Sequence, residues 1–249
     1  MIITTVSRRS IYRKSKANRP WISRILVGIA FFGLAVATPA APHKVRVKDP
    51  ELARELLQRG GKLIADYDSF QLIETSETVP AVPRRERAQA EDKSDEIELN
   101  ATRINTRSPE GRTLRKARGA FSGSRLHLIQ FAGPIKPEWR DTLEKFGVKI
   151  VNYVPQNAYL ISGDAAALAR LQAWSAVTSV VQWDGEFVAS YKIHPSARSR
   201  DEFGLPQQLD TDTFAIQLLD DGESNTNTLA LIDRLKLAPV QRDFRVMRF

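Results

Sequence analysis

Apolar and polar positions along the chain follow two periods, and the switches between them mark out a repeated plan. From His43 the pattern predicts a strand (Lys44–Lys48), a helix (Pro50–Gln58) with Leu52 and Leu56 on one face, and two further strands (Lys62–Tyr67 and Phe70–Glu74). The boundary signals agree. Asp49 can cap the helix, Pro50 fits its first position, Gly60 can end it, and Asp68-Ser69 suits a hairpin turn. Arg125–Gly163 repeats the order, with strand Leu126–Ala132, helix Pro137–Phe146 presenting Trp139, Leu143 and Phe146, and strands Lys149–Tyr153 and Ala158–Ile161. The two copies share wording too. Gly61-Lys62-Leu63-Ile64 stands against Gly147-Val148-Lys149-Ile150-Val151, and Tyr67/Phe70 against Tyr153/Tyr159.

The second copy continues with a helix from the Asp164 cap to about Ala173, carrying Leu168, Leu171 and Trp174 nearby, and a strand at Val177–Trp183. The order β-α-β-β-α-β predicts an α+β, ferredoxin-like module with an antiparallel sheet and both helices on one face. The other face is expected to meet solvent or a partner. A third copy begins at Thr213. It has a strand to Leu219, an acidic turn Asp220-Asp221-Gly222-Glu223 with Gly222 at positive φ, a helix Thr226–Leu237 and a strand Gln241–Arg248. A sheet ending there lacks pairing partners, so this copy is expected to be truncated. Ser76–Gly123 is charged and contains Pro80 and Pro83, and reads as a linker without a core, with one short strand at Glu96–Leu99. The expected organisation is a signal peptide at 1–37, a partial α/β unit at 38–75, a charged linker at 76–123, the ferredoxin-like domain at 124–194, a second linker at 195–210 and a partial unit at 211–249.

Charge changes the functional reading. The 249 residues carry a net charge of +8 and no cysteine, which excludes a disulfide framework and Cys-based zinc sites. Residues 1–37 hold seven basic residues and no acidic one, leaving 30 Lys+Arg against 29 Asp+Glu in the remainder. The basicity belongs to the leader, and the rest has no global field to draw it to nucleic acid. The leader has the order of a signal peptide: a basic stretch ending at Arg24, the apolar run Ile25–Ala37, and an A-x-A cleavage site at Ala35 and Ala37. The run is shorter than the roughly 20 residues of a membrane span. A secreted or periplasmic protein that meets the membrane only transiently is therefore expected over an anchored one. Ser7-Arg8-Arg9-Ser10 has the look of a twin-arginine motif, but lies too far from the apolar run to be read as one.

Chemistry is sparse. His43 and His194 fall in connecting segments, and alternation puts His127 on the opposite strand face from Leu126 and Leu128. None has a second ligand at metal-binding spacing, so all three are expected at the surface or an edge. No nucleophile elbow, phosphate-binding loop or dinucleotide fingerprint occurs, and the acidic run at Asp220 lacks calcium-loop spacing. Trp139, Trp174, Trp183 and Phe187 are predicted to be core. No catalytic, cofactor-binding or metal-binding residue is assigned.

The stretch Leu126–Trp139 (LHLIQFAGPIKPEW), with Val154–Leu160 (VPQNAYL) and Tyr191-Lys192-Ile193, resembles the N-terminal propeptide-like region of secreted bacterial subtilisin-like serine proteases, over about Leu126–Pro195. None of that family's catalytic segments is present, so no triad residue carries over. The resemblance implies a non-catalytic folding assistant and inhibitor whose open sheet face covers a subtilisin-like protease domain, in cis or in trans. It also implies that the strand Val180–Ile193 can add to a substrate groove. The alternatives are a free-standing secreted protease inhibitor and an envelope protein-binding module.

Overall fold

A computed structural model of the protein describes residues 42–76, 88–115, 120–201, 203–209, 214–219 and 221–240. The leader with Ala35 and Ala37, and the strand expected at Gln241–Arg248, lie outside the described residues.

The first copy forms where capping and periodicity put it. β1 (His43–Val47) leads into α1 (Pro50–Gln58), whose Asp49 carboxylate accepts from the Glu51 and Leu52 amides. β2 (Lys62–Asp66) and β3 (Gln71–Thr75) follow, with Gly60 and Asp68 both at positive φ in the turns. A fourth strand, β4 (Ala88–Ala90), pairs with β1 and gives the antiparallel order β2-β3-β1-β4. Alternation along β1 divides its faces. Val45 and Val47 pack with Ile73 against Leu52, Ala53 and Leu56 of α1, while Lys44 and Arg46 point the other way.

The second copy has β7 (Arg125–Phe131), α3 (Pro137–Lys145), β8 (Lys149–Val154), β9 (Ala158–Gly163), α4 (Ala165–Val177) and β10 (Val181–Glu186). Its strands pair antiparallel in the order β10-β7-β9-β8, the order of the first sheet read from the opposite edge. α4 runs four residues past its expected end, because Trp174-Ser175-Ala176-Val177 contains no helix breaker. The last strand therefore starts at Val181 rather than Val177, and after Glu186 the chain turns through a single 3-10 turn at Ala189–Tyr191 instead of continuing extended to Ile193. Trp139 and Trp183 are buried, and Trp174 and Phe187 pack partly buried against the core.

Residues 88–115 are not a linker. Besides β4 they form a hairpin of β5 (Glu96–Leu99) and β6 (Thr102–Asn105), then α2 (Pro109–Leu114). Ile97 and Ile104 of the hairpin pack with Leu128, Val154, Ala158 and Trp183. This strap covers the face of the second sheet that was expected to be open. The helix-side face carries Ile129, Phe131 and Ile161 with Leu143, Leu168 and Leu171, and Ile64, Ala65 and Leu72 of the first sheet join the same core. Tyr67 links the two sheets, its hydroxyl donating to the Pro134 carbonyl at 2.7 Å.

Close backbone approach fixes the strap. A Cβ on Gly111 would stand 2.0 Å from the Asn105 carbonyl oxygen, and the Gly111 carbonyl accepts from the Trp183 indole at 2.8 Å. Gly111→Ala is therefore expected to push α2 off β6 and cost about 1–3 kcal/mol, the usual scale of overpacking. A urea melt checks it, and a loss below about 0.5 kcal/mol would show that α2 is not held as described.

The third copy departs most from expectation. Phe214–Leu219 adopts no regular structure, and α5 spans Gly222–Leu235 with no buried residue. Asp221 caps it by accepting from the Ser224 amide. Gly222 is the first helical residue rather than a turn position of positive φ.

Candidate functional site

Two buried polar clusters hold the chemistry of the described residues. The first surrounds Asp184 on β10. His127, on the neighbouring strand β7, brings Nε2 to 3.0 Å from one carboxylate oxygen. Ser175 of α4 donates to the other at 2.5 Å, and Arg115, just past α2, donates to that same oxygen from Nε at 3.0 Å. The Arg115 guanidinium also donates to the Ser175 carbonyl at 2.7 Å and to the Ser175 hydroxyl. His127, Ser175 and Asp184 are at most 2% exposed. Burial by itself would push the Asp184 carboxyl up. The hydrogen bonds from His127 and Ser175 and the charges of His127 and Arg115 outweigh it and hold the carboxyl below the usual range.

Serine, histidine and aspartate meet here in an order that cannot activate a nucleophile. In a hydrolase the imidazole lies between the hydroxyl and the carboxylate, so that it can take the hydroxyl proton. Here the carboxylate lies between the other two, and the serine hydroxyl donates to it directly. The cluster is a satisfied buried ion network, and it contradicts the expectation of a surface or edge His127. Alternation did place His127 opposite Leu128, but both faces of β7 are covered. His43 opens β1 rather than lying in a connection. His194 sits between two 3-10 turns, with Nδ1 2.7 Å from the Ser196 hydroxyl.

The second cluster surrounds Lys44, whose side chain is fully buried between the two sheets. Its Nζ lies 2.8 Å from an Asp95 carboxylate oxygen and donates to the Ser94 hydroxyl at 2.7 Å, the Ala132 carbonyl at 3.0 Å and the Gln182 side-chain oxygen at 2.5 Å. Gln182 in turn donates to Thr106 and Gln130, and Gln130 donates to the backbone carbonyls of Ser94, Glu96 and Gln156. Arg107 adds a second cation beside Asp95, at 3.3 Å. Burial pushes the Lys44 ammonium below its usual value, an effect that Asp95 opposes. First sheet, strap and second sheet therefore converge on one ammonium group.

Elsewhere, an open depression of about 490 Å³ at the β5–β6 turn is lined by Glu98–Arg103 and Pro155, and its Glu98 and Arg103 pair with each other at 3.0 Å. Among the described residues, no group of three His, Asp or Glu side chains could hold a metal ion, and no helix is long and apolar enough to cross a membrane.

A sequence family described as a domain of unknown function, DUF8729, matches residues 88–188. No curated protein and no solved structure matches the chain. The matched stretch begins at β4 and ends just after β10, so it takes in the strap together with the sheet it covers.

Proposed function

We propose that the chain is an exported, non-catalytic module that docks on a subtilisin-like protease domain, within the same precursor or in another chain, as folding assistant and inhibitor, and that Arg125–Glu186 is its ferredoxin-like βαββαβ unit. The observation that carries this is the antiparallel strand order β10-β7-β9-β8, which is that of a split βαβ arrangement, within the stretch whose wording resembles subtilase propeptide-like regions. A preformed surface of this kind stabilises its partner by binding the native state and not the unfolded one.

The strap occupies the sheet face that would have met the protease, so docking falls to an outer strand. β8 lies at the edge of its sheet and exposes Tyr153, which suits addition to an extended groove. The purified protein at micromolar concentration is expected to slow a subtilisin-type protease on a peptide substrate, and Tyr153→Pro on β8 is expected to weaken that inhibition by about tenfold or more, since Tyr153 stands opposite Tyr159 in a non-hydrogen-bonded pair and proline there removes an edge N–H. Absence of inhibition by the unaltered chain would sink the protease reading in favour of an envelope protein-binding module. Equal inhibition by the proline variant would move the contact off β8.

A further inference from the structure

Exposed apolar surface is concentrated at one end of the described chain. Of fourteen large hydrophobic residues that stand exposed, nine lie between Phe203 and Val240, so this segment is where burial is unfinished. α5 has fourteen residues and buries none of them, a length at which an isolated helix is marginal in water. Its Asp221 cap and its Lys236–Asp233 pair at 2.7 Å stabilise its two ends locally. They leave Leu229, Leu231 and Leu235 in solvent. Before the helix, Phe214–Leu219 has a strand's composition and no ladder partner among the described residues, with Phe214 49% and Ile216 59% exposed.

The second sheet shows what satisfies such a segment. It is two strand–helix–strand halves, β7-α3-β8 and β9-α4-β10, each inserting one strand between the two strands of the other. β7 and β9 run antiparallel, so the helices that follow them also run in opposite directions. A strand–helix segment of this plan is therefore complementary to a second segment of the same plan. Charge agrees with that pairing. Asp221 and Glu223 stand at the start of α5, and Arg234 and Lys236 at its end. Two antiparallel copies would set the acidic start of each against the basic end of the other. A standard interface buries roughly 800 Å² per partner, and Phe214, Ile216, Leu229, Leu231, Leu235, Leu237 and Val240, each 37–99% exposed, supply much of that area.

We propose that residues 214–240 form a self-complementary dimerisation surface whose occupant is the same segment of a second copy of this chain. The contact is isologous, a two-fold pairing that closes on itself, and it uses neither β8 nor the strap. The full chain is expected to sediment as a dimer at micromolar concentration. Leu231→Glu with Leu235→Glu is expected to weaken association by about 100-fold, the scale of losing central apolar anchors. Glu223→Lys alone is expected to weaken it, and Glu223→Lys with Arg234→Glu to restore it, because the swap rebuilds both ion pairs across the two-fold. These substitutions change exposed side chains and leave the cores of both sheets intact, which circular dichroism verifies. A chain that stays monomeric at about 100 µM, a leucine variant that still dimerises, or a charge swap that fails to restore association would each overturn the proposal.

Discussion

Asp184→Ala is expected to lower stability by about 3–5 kcal/mol, the cost of removing one partner from a buried ion network. The substitution would take the carboxylate away from His127, which is 1% exposed, and would leave Ser175 and the Arg115 guanidinium without their shared acceptor. Arg115 is about a third exposed and can return to water, whereas the imidazole cannot. Asp184→Asn keeps the shape and one acceptor oxygen and should cost less. The pH dependence separates charge from shape. The carboxyl is held below its ordinary value in the folded state, so the unfolded chain binds more protons wherever the two values differ. Its contribution is fully present above the ordinary carboxylate range and is lost as pH falls through the folded value. Urea melts at a series of acidic pH values should show this loss in the native protein and a shallower one in Asp184→Asn. A cost below about 1 kcal/mol for Asp184→Ala would mean that the network does not hold α2 and α4 to β10.

Lys44→Ala should be comparably damaging, again about 3–5 kcal/mol, but the consequence differs. Arg107 still neutralises Asp95, so the main loss is to the Ala132 carbonyl and the Gln182 side chain, which the ammonium joins across the sheets. The first sheet should loosen before the second. Hydrogen exchange is expected to rise in β1 and β3 at denaturant concentrations where β7 and β9 remain protected. Uniform loss across both sheets would show that the two are not separable in this way. The pH trend has the same sense as that of Asp184, because both folded values lie below the ordinary ones, but it falls in the lysine range rather than the acidic one. The folded value of Lys44 lies below its ordinary one, so stability rises with pH between the two values and gains nothing further above the ordinary lysine value. Lys44→Met should abolish that rise.

What could be read from the chain alone follows the range of the interactions. α1 fell where expected because Asp49, Pro50 and Gly60 are local signals, and β7, β8 and β9 agreed to within a few residues because period-2 patterning and the glycine at 147 are local too. Both buried clusters escaped notice because their partners are far apart in sequence. Lys44 meets Asp95 and Gln182, and His127 meets Asp184, 57 residues on. The strap has the composition of a linker for a related reason. It contributes few apolar residues, chiefly Ile97 and Ile104, and is otherwise held by Thr106, Arg107 and Arg115, which read as linker composition until their acceptors on other strands are known. The sheet face away from the helices, expected to meet solvent or a partner, is covered by the chain itself through Ile97 and Ile104.

The position of β4 bears on how this fold can be divided. Ala88–Ala90 is hydrogen-bonded into the first sheet, yet it lies at the start of the stretch that matches the sequence family. A cut made at residue 88 would remove an outer strand from one sheet and leave it dangling from the other, and would part Lys44 from Asp95. The stretch that matches the family is thus smaller than the piece that folds as one here. The first sheet behaves as a graft rooted in its neighbour, and gene fusions that borrow 88–188 alone keep Arg107 for Asp95 but must supply a new donor for the Ala132 carbonyl and the Gln182 side chain.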